Sequence, residues 1–584
     1  MSDGQIRRAA RAVAGAGLGW ILAMLGVLSS HAAEAAAAFA EPVIELPPMI
    51  VAESSKGPPW LYAQTSAGEF LSRCSQSTTR EFIETRQRLV HILQVLVPEA
   101  FFVKMDVPSV TVLDALGSRP AGNDAVIQDM LKQEREVSRG QSGANSSDPL
   151  RGRGGRGRVQ FLPNLRLEDR DMTALFAYLD DTNFDGSRLF LSPDYVRFML
   201  QRRTPMLPPW VIEGVLAIYG QTNLAADPIT IRAFEWLSPV ESRALERDPE
   251  RPRVLLAMAD LFAPGARLGA AADDLRVKIW RAQVALFVRW ALDSRHSGMR
   301  EAFWKFAARA AEEPVTEAMF EQCFGFGFSE MRDRLSDYLP RAVRDSLRLP
   351  RGKLPQIPRP EVSKATPEQI ARLRGEWERM EVPYVKARHA SFAGRYADQA
   401  RRTLGRVVAQ GDADPRVVAA LGLCELDAGD EKEARGFLEA AVAANVWRPR
   451  AYYELARLRY TELSGADASA RQFSAEELTP VVSLLRIAIT RAPPLPEAYV
   501  LLAEAWLRCR TAPPEEDLVT LAKGAAAFGR LPLISHRVAL LHLAHGKTAE
   551  AARLLGQAMD RTDDPETRAA LAELQDLMGR RRSP

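Results

Sequence analysis

The sequence predicts a mostly helical α+β protein: a small-sheet domain followed by an α-solenoid of helix–turn–helix repeats. Three observations predict it. Short β-branched and aromatic runs cluster before residue 115. Helical periodicity takes over from about residue 194. From about residue 368 the helical pattern repeats, and Pro415 and Pro449 stand 34 residues apart, each just ahead of a helix. The 584 residues are 47% apolar and 26% charged, which excludes wholesale disorder and leaves enough chain for several packed units. Lys and Arg number 77 against 74 Asp and Glu, a net charge of +3. A dedicated nucleic-acid binder concentrates a basic excess on its binding domain, so no nucleic-acid partner is expected.

The N-terminus reads as an export signal. Arg7, Arg8 and Arg11 precede an apolar run from Ala12 to Leu28, and Ser30-His31-Ala32-Ala33-Glu34-Ala35 follows. This is the three-part layout of a secretory signal peptide over residues 1–35, with cleavage after Ala32 or Ala35. The alternative is an uncleaved N-terminal anchor, because the run approaches the lower limit of a membrane span. Export to the periplasm or cell envelope is expected. No other run of 18 apolar residues occurs, so no membrane span is expected beyond this signal. Cys74, Cys323, Cys424 and Cys509 form no CxxC and no disulfide framework; Cys424–Cys509 is the one bridge that an oxidising compartment would allow.

The domain expected over residues 59–347 opens with strands at Trp60–Gln64 and Glu69–Arg73. A helix from Ser77 to Val97 follows, opened by a Ser77-Thr78-Thr79 cap, and then a strand at Val107–Leu113. Residues 116–157 read as a disordered insertion rich in Gly, Ser, Asn and Arg, running into the Arg/Gly stretch Arg151–Arg158. No aromatics interleave with those arginines, so the stretch reads as a solvated loop; the alternative is contact with RNA or an anionic polymer, such as one of the cell envelope. Val159–Leu165 and Ser187–Leu191 read as strands, with a helix at Asp171–Leu179 between them. Helices are expected at Asp194–Arg203, Pro209–Gln221, Leu275–Asp293, Met299–Ala311 and Glu330–Leu347. Residues 348–367 read as a Pro-rich linker and residues 368–580 as the repeat domain.

In the repeat domain, Ala400, Leu404 and Leu421 recur 34 residues later as Ala434, Leu438 and Leu455. The run Pro449–Ala456 recurs as Pro496–Ala503. This pattern resembles tetratricopeptide repeats. The resemblance implies a superhelix of helix pairs whose concave face holds a protein or peptide partner. Tyr452, Tyr499 and Trp506 are the candidate partner contacts, although most aromatics on such helices fill the gap between pairs.

The stretch Leu191–Tyr219 contains Pro193-Asp194-Tyr-Val-Arg197, a connection rich in Leu and Pro, and then Trp210-Val-Ile-Glu213-Gly214 with Tyr219. It resembles the gluzincin metallopeptidases, in particular the peptidase MA-like group. There, an HExxH helix supplies two zinc-binding His and the catalytic Glu, and a second helix supplies a Glu ligand in a W-x-x-E-G element. Carried over by spacing, Glu213 takes the third-ligand position, Pro193 and Arg197 take the places of the two His, and Asp194 takes that of the catalytic Glu. Proline has no ligating side chain and arginine is a permanent cation. The resemblance therefore implies a pseudoprotease with no catalytic residue, metal or cofactor. The Arg197 guanidinium is expected to stand where zinc would be and to neutralise Glu213, together with Asp194, as a buried pair.

Asp181, Asn183 and Asp185 fit the start of a calcium loop, D-x-N-x-D-G, but Ser192 stands where its bidentate Glu belongs. A polar turn is expected, with a partial calcium site as the alternative. His536, His542 and His545 are spaced to share a helix face, the weakest of the metal readings. The function expected is an exported, non-catalytic scaffold or adaptor. The alternative is a peptidase-like hydrolase with a rebuilt or metal-free site using Asp194 and Glu213.

Overall fold

The sheet of the first domain is mixed, and its strand order is not the chain order. The computed structural model of the protein describes residues 58–66, 68–102, 109–115, 164–189, 191–224, 226–237, 255–263, 275–411, 414–465, 471–562 and 565–579. The expected signal segment 1–35, the expected insertion 116–157 and the Arg/Gly stretch Arg151–Arg158 lie outside the described residues. Strands β1 (Leu61–Thr65), β2 (Gly68–Ser72), β3 (Ser109–Ala115), β4 (Asn164–Glu168) and β5 (Thr173–Leu179) are joined by β9 (Ser363–Lys364) in the order β4-β5-β3-β2-β1-β9. β2, β3 and β5 are parallel, while β4 pairs antiparallel with β5 and β1 antiparallel with both β2 and β9.

Helix α1 (Gln76–Leu93) covers one face of this sheet. Phe82 and Ile83 meet Phe70, Leu113, Leu175 and Ala177 there. Its cap is Ser75, whose Oγ accepts from the Thr78 amide, and not the Ser77-Thr78-Thr79 run expected. The segment 171–179, expected as a helix, is the strand β5. Ala174 and Tyr178 pack on one face of the sheet, Leu175, Ala177 and Leu179 on the other. A strand buried on both sides loses polar alternation and reads like a buried helix. Where a strand was expected to begin at Ser187, Gly186–Arg188 forms a single 3-10 turn.

The helical half of the domain begins with α2 (Pro193–Gln201) and α3 (Pro209–Gly220). Strands β6 (Thr222–Asn223) and β7 (Ile229–Ile231) and the short α4 (Met258–Phe262) follow. Then come α5 (Leu275–Leu292), α6 (Met299–Glu312), α7 (Glu317–Phe324) and α8 (Phe328–Ala342). Trp210 is 2% exposed and packs among Phe262, Phe287, Phe303 and Phe306, with ring centroids 4.9–6.1 Å away. Gly214 lets α3 approach α5. A Cβ there would stand 2.8 Å from Val288 Cγ2 and 2.9 Å from the Val284 carbonyl oxygen.

The Pro-rich segment 348–367 is built into the fold and is no free linker. Its start continues β8 (Leu347–Leu349), which pairs with β7, and its end supplies β9. Val362 and Ala365 are buried. Thr366 and Gln369 form a capping box that opens α9 (Pro367–Arg388). This first helix of the repeat domain lies on the second face of the sheet. Leu373, Trp377, Met380 and Val385 cover Leu71, Val110, Val112, Ala174 and Tyr178.

The expected solenoid of helix pairs follows. The pairs are α9 with α10 (Ala393–Val408), α11 (Pro415–Ala428) with α12 (Glu431–Ala443), and α13 (Pro449–Ser464) with α14 (Ala475–Thr490). They continue as α15 (Pro496–Leu507) with α16 (Glu515–Ala527) and α17 (Pro532–Ala544) with α18 (Thr548–Met559), closed by α19 (Pro565–Gly579). The first helices α9, α11, α13, α15 and α17 lie side by side in one row. Each begins with proline at its first turn, where the missing N–H costs nothing, and no second helix does. Cys424 and Cys509 are free thiols buried in separate clusters, so the bridge between them is not formed. Burial pushes the Cys424 thiol up to about 12, which makes it an inert core residue.

A fragment ending at residue 366 removes α9 and uncovers one face of the sheet, and it is expected to bind a hydrophobic dye and melt without cooperativity. A fragment that keeps α9 and α10 is expected to melt cooperatively. Equal melts by circular dichroism would overturn the assignment of α9 to the sheet core.

Candidate functional site

The stretch that the sequence compares with a metallopeptidase cleft forms the helices α2 and α3. Ser192 caps α2, accepting from the Tyr195 amide at 3.2 Å, and Pro193 takes the first turn. Arg197 projects from α2 and donates from Nη1 to Glu213 Oε1 of α3 at 2.6 Å. The pair expected from the sequence is thus formed. It is not deeply buried, because the Arg197 and Glu213 side chains remain 38% and 24% exposed. Asp194 is exposed on the first turn of α2 and takes no part in the pair. Tyr219 ties the frame together: its hydroxyl, buried between the helices, donates to the Leu191 carbonyl at 2.6 Å.

The residues present do not fit zinc. Pro193 offers no donor atom, and the Arg197 cation holds Glu213, the single carboxylate at a ligand position. Further positive charge stands nearby. Arg166 of β4 and Arg86 of α1 both lie over the Tyr195 ring, 4.6 and 4.7 Å from its centroid. Burial, followed by the Arg86 charge, pushes the Arg166 guanidinium below its ordinary range.

The strongest electrostatic feature lies elsewhere and was not anticipated. The β4–β5 turn carries Asp169, Arg170 and Asp171 into the row of first helices. Arg379 of α9, which is 1% exposed, pairs with Asp169, with Glu376 at 3.1 Å and with Asp427 of α11 at 3.0 Å. Arg448, just before α13, pairs with Asp169 at 3.1 Å, with Asp171 at 3.2 Å and with Glu376. Arg450 of α13 pairs with Asp169 and, at 3.2 Å, with Asp427. Burial raises the Asp169 carboxyl, but the Arg379, Arg450 and Arg448 charges outweigh it and hold that carboxyl well below the usual range. The far end of the solenoid also returns to the first domain. The Met206 amide donates to the Ala527 carbonyl at 3.2 Å, Arg530 donates to Ala310 at 3.0 Å, and Arg561 reaches Glu312.

The aromatic candidates Tyr452, Tyr499 and Trp506 are buried in the core of the array. Tyr452 is 1% exposed. Trp506 is buried and donates from Nε1 to Asp517 at 2.8 Å. Tyr499 lies flat on α16, where a Cβ at Gly524 would fall 2.1 Å from its ring. These side chains fill the space between successive helix pairs. The calcium-loop candidates serve as turn and cap residues. Asp181 accepts from the Ser75 amide and hydroxyl at 3.0 and 2.8 Å, Asn183 donates to Asp180 at 3.0 Å, and Asp185 accepts from the Ser187 amide at 3.0 Å. Among the described residues no group of three or more His, Cys, Asp or Glu is placed to hold a metal ion, the His536–His545 region included. Among them, too, no helix is long and apolar enough to cross a membrane.

No family model matches the chain, and no curated protein matches it either. Among solved structures, the crystal structure of a thermophilic TPR protein from Thermus thermophilus aligns with 34% of this chain and 97% of that chain, at 17% identity and a TM-score of 0.22.

Two substitutions separate the cleft from the seam. Arg197→Ala is expected to cost about 1 kcal/mol or less, because its pair is open to solvent. Arg379→Ala is expected to cost about 3–5 kcal/mol, because it strands buried carboxylates. Chemical denaturation of both variants checks the contrast, and equal losses would refute it. The depressed Asp169 carboxyl contributes stability that is complete above its unfolded value of about 3.9 and is lost as pH falls through its lower folded value. Acid melts of the wild type are therefore expected to steepen below about pH 4, more than those of Asp169→Asn.

Proposed function

We propose that the protein is an exported, non-catalytic scaffold or adaptor that engages a protein or peptide through its tetratricopeptide-like array. In this reading its first domain is a gluzincin-like frame that has lost its zinc site. The observation that carries the non-catalytic part is the Arg197–Glu213 pair, in which one ligand position neutralises another. The row of five first helices supports the interaction part, since stacked helix pairs present extended surfaces suited to protein binding. Export rests on the N-terminal charge and hydropathy pattern.

Mature protein purified without chelator is expected to hold less than about a tenth of an equivalent of zinc by mass spectrometry, given the absent donors. It is also expected to leave a peptide library intact. Stoichiometric zinc, or hydrolysis abolished by Asp194→Asn and Glu213→Gln, would replace this reading with the hydrolase alternative.

A further inference from the structure

Helix α13 starts without a cap of its own. The residue before it is Arg448, whose side chain has no acceptor; Pro449 has no N–H and the Ala451 amide donates to the Arg448 carbonyl at 3.2 Å, which leaves the Arg450 amide without a local side-chain cap. Asp171 of the β4–β5 turn supplies what is missing. Its Oδ2 accepts from the Arg450 amide at 3.1 Å, and Arg448 closes on the same carboxylate through Nε and Nη2, both at 3.2 Å. Asp171 is 1% exposed there. Two positions earlier, Asp169 is held by Arg379, Arg448 and Arg450. Arg170, between the two, points the other way. Its Nη1 donates to Glu454 of α13 at 3.3 Å, its Nε stands 3.6 Å from Glu497 of α15, and its guanidinium lies 5.5 Å from the Tyr453 ring.

The turn reads negative, positive, negative, and its seat reads positive, negative, positive. Apart from Arg448, which directly precedes α13, the seat residues come from first helices of successive pairs. That row is the surface by which the array would hold a ligand. We propose that this inner face, from α9 to α15, is a receptor for an acidic–basic–acidic turn, and that the chain's own Asp169-Arg170-Asp171 is its resident occupant. The solenoid is closed on its own domain there. An external peptide carries two carboxylates flanking a cation and takes the seat only where the chain's own turn does not fill it. The inference rests on the scaffold reading and adds the chemistry of the ligand to it. The seat is tested with no outside partner, so failure to capture a partner and failure of the seat are separate results.

The test uses full-length mature protein and hydrogen–deuterium exchange. In Asp171→Ala, the start of α13, residues 450–453, is expected to exchange at least about tenfold faster, because the Arg450 amide loses its acceptor and the first turn frays. The core around Trp210 is expected to stay unchanged. A synthetic peptide of residues 166–174 is expected to restore protection to the variant and to leave the wild type, whose seat is filled, unaffected. The same peptide with Asn for both Asp is expected to do neither. Unchanged exchange in Asp171→Ala would overturn the proposal. So would a peptide that binds both proteins equally, or one that fails to protect the variant. If Asp171→Ala does not fold, Arg170→Glu serves in its place. That side chain is 42% exposed, and the substitution sets like charge against Glu454 and Glu497. It is expected to raise exchange over the same residues, and unchanged exchange there would overturn the proposal equally.

Discussion

A buried guanidinium must be neutralised where it lies, and Arg379 sets that condition for the whole molecule. It sits on α9 with its side chain almost wholly out of solvent, and its partners come from three places: Asp169 at the edge of the sheet, Glu376 on its own helix, and Asp427 on the next first helix. No rearrangement that parts the sheet from the solenoid keeps all three. Removing one member of such a set leaves charges in a medium that cannot solvate them, which is the expensive case for buried ion pairs. Arg448 and Arg450 extend the set to α13, so the sheet edge and three first helices are locked by a single network.

That constraint gives α9 two roles. Its apolar side, Trp377 and Met380 among others, completes the core of the sheet, while its charged side begins the repeat array. The division into domain, linker and repeat domain therefore does not describe how the chain is stabilised. The strand β9 and the buried Val362 and Ala365 make the connection part of the first core. The return contacts from Ala527, Arg530 and Arg561 to residues 206, 310 and 312 join the other end of the array to the same domain.

The meeting of α2 and α3 is electrostatically quieter. The Arg197–Glu213 pair is short but open to water, and Asp194 takes no part in it. The Arg197 guanidinium neutralises Glu213, while the Tyr219 hydroxyl bonded to the Leu191 carbonyl and Trp210 stacked on Phe306 fix these helices in the core.

Much of this was written in the sequence. Prolines marked the first turn of each leading helix, because only there does a missing N–H cost nothing. Small residues and leucines at the 34-residue offset marked the helix crossings, and the pairing of Arg197 with Glu213 followed from the spacing that the metallopeptidase resemblance carries. What failed in the sequence reading was local. The run 171–179 is apolar on both sides because it is a central strand, and one-dimensional periodicity cannot separate that from a buried helix. The aromatics Tyr452, Tyr499 and Trp506 were legible as helix residues, but which face they occupied was not. Only the tertiary structure decided the seam. Asp169 and Asp171 lie more than 200 positions before Arg379, Arg448 and Arg450, and nothing in a charged turn announces which distant helix end lacks a cap. Burial and proximity in space give those charges their meaning, and neither is a property of the chain read in order.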